Sequence, residues 1–212
     1  MATRFALHGI WASGPTYKVG LMLALTGTPY DYEHVDMLQG GHKSPEHLAR
    51  NRYGSVPALE DREAGLCLAQ SGASLEYLAE VTGKFRPDNV ADRARALEWV
   101  LWGWDRLARG VYRPRSYKLG FQRASDEVKA HYDGEGAAAL KELDAHLAGR
   151  EWLVGAAPSW ADVDLYGVVA YAPQSGQDLT GLANVAGWMS RIEALPGFAD
   201  VRSLLPKESK AA

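Results

Sequence analysis

Cysteine is nearly absent from this chain, since Cys67 is the only one among 212 residues. A single cysteine excludes an internal disulfide, a CxxC redox pair and a zinc site built on several cysteines. It favours a reducing compartment, for which the cytoplasm is the simplest choice. The six histidines show no HExxH pattern or other metal-ligand spacing, so we expect no metal site.

Long apolar runs and blocks of like charge are also missing. No window approaches the roughly 18 uncharged apolar residues of a membrane span, and the N-terminal segment passes into a strand pattern without the features of a signal peptide. The formal net charge is −3 with both signs mixed, so we expect neither nucleic-acid binding nor a membrane patch. The chain is instead rich in apolar residues, and 47% hydrophobic residues with seven Trp predict a sizeable core.

Short strands and helices alternate over the first 82 residues, in the order β-α-β-α-β-β-α. Pro15 suits the first turn of the first helix, and Gly27 suits its end. Gly65 can turn the chain between two short apolar strands, which predicts a hairpin. The crossover after the first strand favours a parallel pair. The strands are expected at residues 4–8, 30–35, 58–60 and 66–69.

Residues 83–89 break this pattern and are interpreted as a linker, after which the chain is predicted to be helical. Helices are expected over residues 91–109, from the N-cap Ser125 to Leu147, and over 185–194. Ser159 and Asp162 fit a capping box before another apolar run, so Asp162 is interpreted as structural. Residues 113–123 are expected to be irregular and basic, and residues 207–212 to be a frayed tail.

The stretch over residues 51–77 has features of a ligand site. Gln70 and Ser71 lie where a strand gives way to a helix, whose unpaired N–H groups and dipole favour an anion. Pro57 has no N–H, and we predict a cis Val56–Pro57 bond, which would turn the backbone of Val56 outward to pair with an extended peptide. A peptide carrying a carboxylate would suit both features. A hairpin and a helix cap without any ligand explain the same residues equally well.

Motifs in the right order over nearly the whole chain resemble the soluble glutathione transferase family. YGSVPALED and LAQSGASLEYLAE are similar to its glutathione-binding half, and SGPTYKVGLMLALTGTPYDYEHVD to its first helix and second strand. SWADVDLYG and WMSRIEALPGF are similar to two of its later helices. The resemblance implies an α/β thioredoxin-like N-terminal domain over residues 1–82. It also implies an all-α C-terminal domain over residues 88–212, which would form the electrophile side of the site.

The resemblance also assigns a hydroxyl for thiol activation. In serine-type members a Ser begins the first helix, and here the run is Ser13-Gly14-Pro15-Thr16-Tyr17. A hydroxyl at a helix N-terminus can donate to a thiolate and favour the ionised form. Thr16 is the rival hydroxyl, and a plain N-cap is the alternative role for Ser13. Tyr17 is expected to be packed inside the domain.

The remaining site residues come from the same resemblance. Gln70 would receive the ammonium of the γ-glutamyl group, and Ser71 its carboxylate. Val56 and Pro57 would present backbone to the ligand. Lys43 would meet the glycine carboxylate, although a solvated loop lysine is an equal alternative.

The implied activity is that of a cytoplasmic glutathione transferase that adds the glutathione thiolate to small hydrophobic electrophiles. Glutathione would be the cosubstrate, and a homodimer is expected. A non-catalytic scaffold of the same fold that binds a protein partner is the alternative. A thiol-disulfide or isomerase activity at the same site is a third hypothesis, although the site lacks a catalytic Cys.

Overall fold

A computed structural model describes residues 3–211 and divides into two compact units. The first unit contains the chain up to Lys84 together with the segment from Leu195 onward, and the second is Phe85–Ala194. Among the described residues, no helix is long and apolar enough to cross a membrane.

The first unit is built on a four-stranded mixed sheet of order β2-β1-β3-β4. β1 is parallel to β2 and antiparallel to β3, and β3 and β4 form the antiparallel hairpin. This confirms the predicted element order and the thioredoxin-like class. The strands are β1 (Phe5–Gly9), β2 (Tyr30–His34), β3 (Ala58–Asp61) and β4 (Leu66–Leu68), and the helices are α1 (Gly14–Thr26), α2 (Pro45–Arg50) and α3 (Ser71–Thr82).

The two faces of the sheet differ in polarity because side chains alternate along each strand. Leu7 of β1 pairs with Leu59 of β3, and both are buried on the face that α1 covers at Gly20. His8 and Glu60 belong to the opposite face, which carries ionisable side chains. α1 and α3 pack against each other, and their apolar residues complete the core of this unit.

The second unit is helical, as predicted, and its N-terminal caps follow the sequence. Ser125 accepts from the Val128 N–H at the start of α6. Ser159 and Asp162 form the expected capping box at the start of α7. Its helices are α4 (Val90–Trp102), α5 (Ala108–Lys118), α6 (Asp126–Leu147), α7 (Trp160–Val169), α8 (Ala172–Ser175) and α9 (Ala183–Glu193), with a π-helical turn over Gly103–Leu107.

The prediction that residues 113–123 are irregular is wrong for the first half of that range, because α5 continues to Lys118. Pro114 lies inside this helix and cannot donate to the carbonyl of Gly110, four residues earlier. Gln177 replaces that donor, since its Nε2 donates to Gly110 O at 3.2 Å. α5 therefore continues through Pro114, although a proline normally interrupts a helix.

Glycines at the α5–α6 contact allow the two helices to approach closely. A Cβ added at Gly110 would lie 2.2 Å from the Cα of Gly136, a separation that real atoms do not adopt. α6 runs without interruption through Gly134 and Gly136. Gly136 therefore allows the close packing of α5 and α6.

The C-terminal segment also differs from expectation. Lys210 forms an antiparallel bridge with Tyr32, and its N–H donates to Tyr32 O at 2.8 Å, so the tail is paired at the edge of β2 rather than frayed. The Tyr17 hydroxyl donates to Ala199 O at 2.9 Å. The segment from Leu195 therefore packs in the first unit, although residues 88–212 were expected to form one helical domain.

Candidate glutathione site

The topology of the first unit brings the predicted site residues to one end of the sheet. His8, near the end of β1, pairs with Ala58 at the start of β3. Leu68, at the end of β4, pairs with Leu59 next along β3. The loop before α1, the Val56–Pro57 bond and the start of α3 therefore share this end of the sheet, and Ser13, Val56 and Gln70 lie there.

Ser13 is the N-cap of α1, and its hydroxyl retains a hydrogen to donate. Its Oγ accepts from the Thr16 N–H at 3.2 Å, which satisfies one of the helix's initial N–H groups. The hydroxyl hydrogen has no acceptor among residues 3–211. Ser13 is only partly buried. Capping and donation to a ligand are compatible, because a hydroxyl both accepts and donates.

Thr16, the rival hydroxyl, is fully buried. Its side chain lies against Gly9, where an added Cβ would meet the Thr16 Cγ2 at 2.2 Å. Its Oγ1 is enclosed and has no partner in the described part of the chain. Tyr17 is also buried, as predicted.

The Val56–Pro57 bond is cis, as predicted. Asn51 bonds the carbonyls on both sides of Val56: its Nδ2 donates to Ser55 O at 2.7 Å and to Pro57 O at 3.1 Å. The His47 Nε2 also donates to Ser55 O, at 2.8 Å. The backbone N–H and C=O of Val56 itself have no partner among residues 3–211. This leaves both groups available to an extended peptide.

Asn51 was missed by the sequence reasoning. It is fully buried, and its Oδ1 accepts from the Tyr53 N–H at 3.0 Å. An Asn followed two residues later by a turn is the signal that could have identified it, because Asn side chains bond the backbone at that spacing.

Lys43 lies in a short 3-10 turn, Gly41–Lys43, before α2. Its Nζ donates to Gly54 O at 2.8 Å, which brings it to the loop that contains Val56. The ammonium carries three N–H donors, so two remain for a ligand. Lys43 is exposed.

Gln70 and Ser71 form the start of α3. Gln70 is exposed, and its side chain makes no capping hydrogen bond. Ser71 is 2% exposed, and its Oγ is enclosed without a partner among the described residues. An uncapped N-terminus of a 12-residue helix with an unpaired hydroxyl beside it is suited to a carboxylate.

Other nucleophiles and ligand sets in the described chain do not offer a competing centre. Burial raises the pKa of the Cys67 thiol, which keeps it protonated and weakly nucleophilic at neutral pH. Burial lowers the pKa of His8, which favours a neutral ring. Residues 3–211 contain no cluster of three His, Cys, Asp or Glu side chains that could hold a metal.

Two family models match the chain: the glutathione S-transferase N-terminal domain over residues 4–80, and the glutathione S-transferase C-terminal domain over residues 107–196. The chain belongs to the glutathione S-transferase family. Its function is therefore of the glutathione-transferase type, which includes related isomerase and oxidoreductase activities.

Individual relatives match most of the chain. A maleylacetoacetate isomerase of Rhizobium meliloti is 34% identical over 194 residues, covering 84% of this chain and 86% of its own. The disulfide-bond oxidoreductase YfcG of Escherichia coli is 28% identical over 185 residues, covering 85% and 86%. The structure of a possible glutathione S-transferase from Rhodopseudomonas palustris superposes with a TM-score of 0.84 at 33% identity, covering 96% and 100%.

Proposed function

We propose that the protein is a cytoplasmic glutathione transferase that joins the glutathione thiolate to small hydrophobic electrophiles as a detoxification step. The observation that carries the proposal is a set of groups at one end of the sheet whose hydrogen-bonding capacity is partly or wholly unused among the described residues. These groups are the Ser13 hydroxyl, the backbone of Val56 and the Ser71 hydroxyl at the α3 N-terminus.

Each unpaired group has a counterpart in glutathione. The uncapped start of α3 and Ser71 would receive the γ-glutamyl carboxylate, and the exposed Gln70 amide oxygen would accept from the ammonium. Val56 would pair with the cysteinyl backbone next to Pro57. Lys43 would bind the glycine carboxylate with the donors that Gly54 leaves unused.

Ser13 would act on the sulfur. Its hydroxyl donates to the thiolate, and the N-terminal end of the α1 dipole adds to the stabilisation of the negative charge. The thiolate then attacks an electrophilic carbon, forming a C–S bond. The displaced electron pair leaves with the leaving group, or is protonated when the substrate is an activated alkene.

Isomerisation is the second candidate reaction, favoured by the 34% identity to a maleylacetoacetate isomerase. It would use the same activated thiolate, which adds to a conjugated double bond and is expelled after rotation. A substrate panel should therefore include an activated cis alkene beside aryl halides.

Calorimetric titration with glutathione tests the proposal. We expect saturable binding with one site per chain, followed by conjugation or isomerisation with at least one electrophile of the panel. Absence of binding at millimolar glutathione would contradict the proposal and favour a non-catalytic scaffold. The variant Ser71→Ala is expected to weaken binding, because it removes the hydroxyl that would donate to the γ-glutamyl carboxylate.

A further inference from the structure

A second, polar cavity lies in the first unit on the face of the sheet that carries His8 and Glu60. It has a volume of about 480 Å³, within the range of small-molecule sites, and α2 and the loop after β2 form its other walls. The glutathione-site residues Ser13, Val56, Gln70 and Ser71 do not line it. It is called the α2 cavity below.

The cations of the α2 cavity already have anionic partners. Arg50 donates to Glu46 Oε1 at 3.1 Å, and its Nε lies 4.0 Å from Glu60 Oε2. Arg62 is paired with Asp31, a carboxylate outside the lining, and donates to Thr3 O at 2.9 Å. The charges of both guanidinium groups are therefore already compensated by carboxylates.

Acceptors are left over in the same cavity. Glu33 forms no ion pair among residues 3–211, and the carboxylate of Asp36 accepts only from the Gln39 N–H, at 3.1 Å. Four carboxylates and two guanidinium groups line the cavity, so its formal charge with neutral histidines is −2. A low-dielectric cleft of one sign concentrates ligands of the opposite charge.

The histidines also indicate a site for a positively charged ligand, independently of the carboxylates. His8 is 7% exposed, and its Nε2 lies 3.1 Å from Glu60 Oε2. A neutral ring that donates through Nε2 leaves Nδ1 as an acceptor, and Nδ1 has no partner among the described residues. The Nδ1 of His34 is enclosed, and it too has no partner in the described part of the chain. Buried polar groups of this kind require a partner.

We propose that the α2 cavity binds an aliphatic diamine or triamine. The acceptors come from β1, β2 and the loop after β2, so they are distributed around the cavity rather than gathered at one point. A chain of methylene groups with an ammonium at each end places several N–H donors at separate acceptors. A single compact cation would satisfy only one of them.

The test is a titration of the full chain with spermidine and with putrescine at low ionic strength. Binding is measured by calorimetry and by the histidine ring signals in NMR spectra. We expect saturable binding that shifts the signals of His8 and His34 and leaves that of the exposed His131 unchanged. Because the site is separate from the glutathione site, glutathione affinity should stay the same within twofold.

Variants distinguish this site from general surface attraction. Glu33→Gln and Asp36→Asn together should weaken spermidine at least tenfold, whereas Glu76→Gln, an exposed charge on α3, should change it less than twofold. Equal binding by all variants, or no binding at millimolar spermidine, would overturn the proposal. Displacement of spermidine by an equal charge concentration of Mg²⁺ would also overturn it, because only non-specific attraction depends on charge alone.

Discussion

Asn51 determines the shape of the loop that presents Val56, since its one amide bonds the carbonyls on both sides of that residue. We predict that Asn51→Ala lowers the free energy of unfolding by about 1–3 kcal/mol, because Pro57 O loses its donor and Ser55 O keeps only the His47 ring. It should also weaken glutathione at least tenfold, since the loop that pairs with the ligand loses its support. Chemical denaturation and calorimetry measure the two effects.

Asn184→Ala is the matched control for this prediction. Asn184 Nδ2 donates to Asp144 Oδ2 at 3.0 Å in the helical unit, which contains none of the predicted glutathione contacts. It should cost stability without changing glutathione affinity. If the two variants weaken glutathione equally, Asn51 has no specific role in the site.

Asp61 links the stability of the first unit to pH. The hydrogen bonds from Arg4, with Tyr77 adding another at 2.7 Å, hold the pKa of Asp61 well below its usual range. The ionised Asp61 therefore contributes its full share of the unfolding free energy above the pKa of Asp in the unfolded chain, about 3.9. This contribution is lost as the pH falls below that value. We predict that Asp61→Asn lowers stability at pH 7 and flattens the acid limb of a plot of unfolding free energy against pH. An unchanged acid limb would contradict this assignment.

At the scale of elements, α5 depends on a replacement donor. Gln177→Leu should destabilise the protein by about 1–3 kcal/mol, because Gly110 O and Asp133 O both lose Nε2 as a partner. Pro114→Ala in the same chain should recover part of that loss, since Ala restores the backbone N–H that can reach Gly110 O. Denaturation of both single variants and the double variant tests this. If the two changes in unfolding free energy are strictly additive, Gln177 and residue 114 do not compete for Gly110 O.

Local signals predicted most elements, and long-range contacts explain the exceptions. Ser13 and Gly27 mark the ends of α1 because capping depends only on neighbouring residues. The helix through Pro114 and the bridge at Lys210 depend on Gln177 and Tyr32, 63 and 178 residues away in the chain numbering. No local pattern contains these partners. The same limit concealed Asn51, whose two carbonyl contacts exist only once the loop is folded.

The site shows the same division between pattern and geometry. Gln70 and Ser71 could be proposed from the strand-to-helix transition alone, whereas Ser13 and Lys43 required the resemblance to a family. The sequence could not choose between Ser13 and Thr16, because the full burial of Thr16 against Gly9 is a packing property.

At the scale of the whole molecule, we propose a homodimer with its two-fold contact between residues 74–80 of one copy and residues 93–106 of the other. Leu97 and Leu101 of α4 are 43% and 62% exposed, a face that association would cover. Sedimentation at micromolar concentration should show a dimer, and Leu101→Arg should produce a monomer. Leu119→Arg, at an exposed leucine outside this face, should remain dimeric. A monomeric wild type would contradict the proposal.

The ionisation of bound glutathione tests the central claim, that Ser13 activates the thiol. A free cysteine-like thiol has a pKa of about 8.5. One charge-assisted hydrogen bond of roughly 1.5–3 kcal/mol would lower that pKa by about one to two units. Ser13→Ala should raise the bound thiol pKa by that amount and reduce turnover at neutral pH about tenfold or more, with glutathione affinity nearly unchanged. Thr16→Val removes the buried, unpaired hydroxyl and should leave the pKa unchanged.

The most direct measurement is the ultraviolet absorbance of the bound thiolate as a function of pH in wild type, Ser13→Ala and Thr16→Val. The predicted result is an upward shift of the titration in Ser13→Ala alone. A shift confined to Thr16→Val would assign activation to Thr16. Superimposable titrations in all three proteins would contradict the role of Ser13 and leave activation to the backbone N–H groups and dipole of α1.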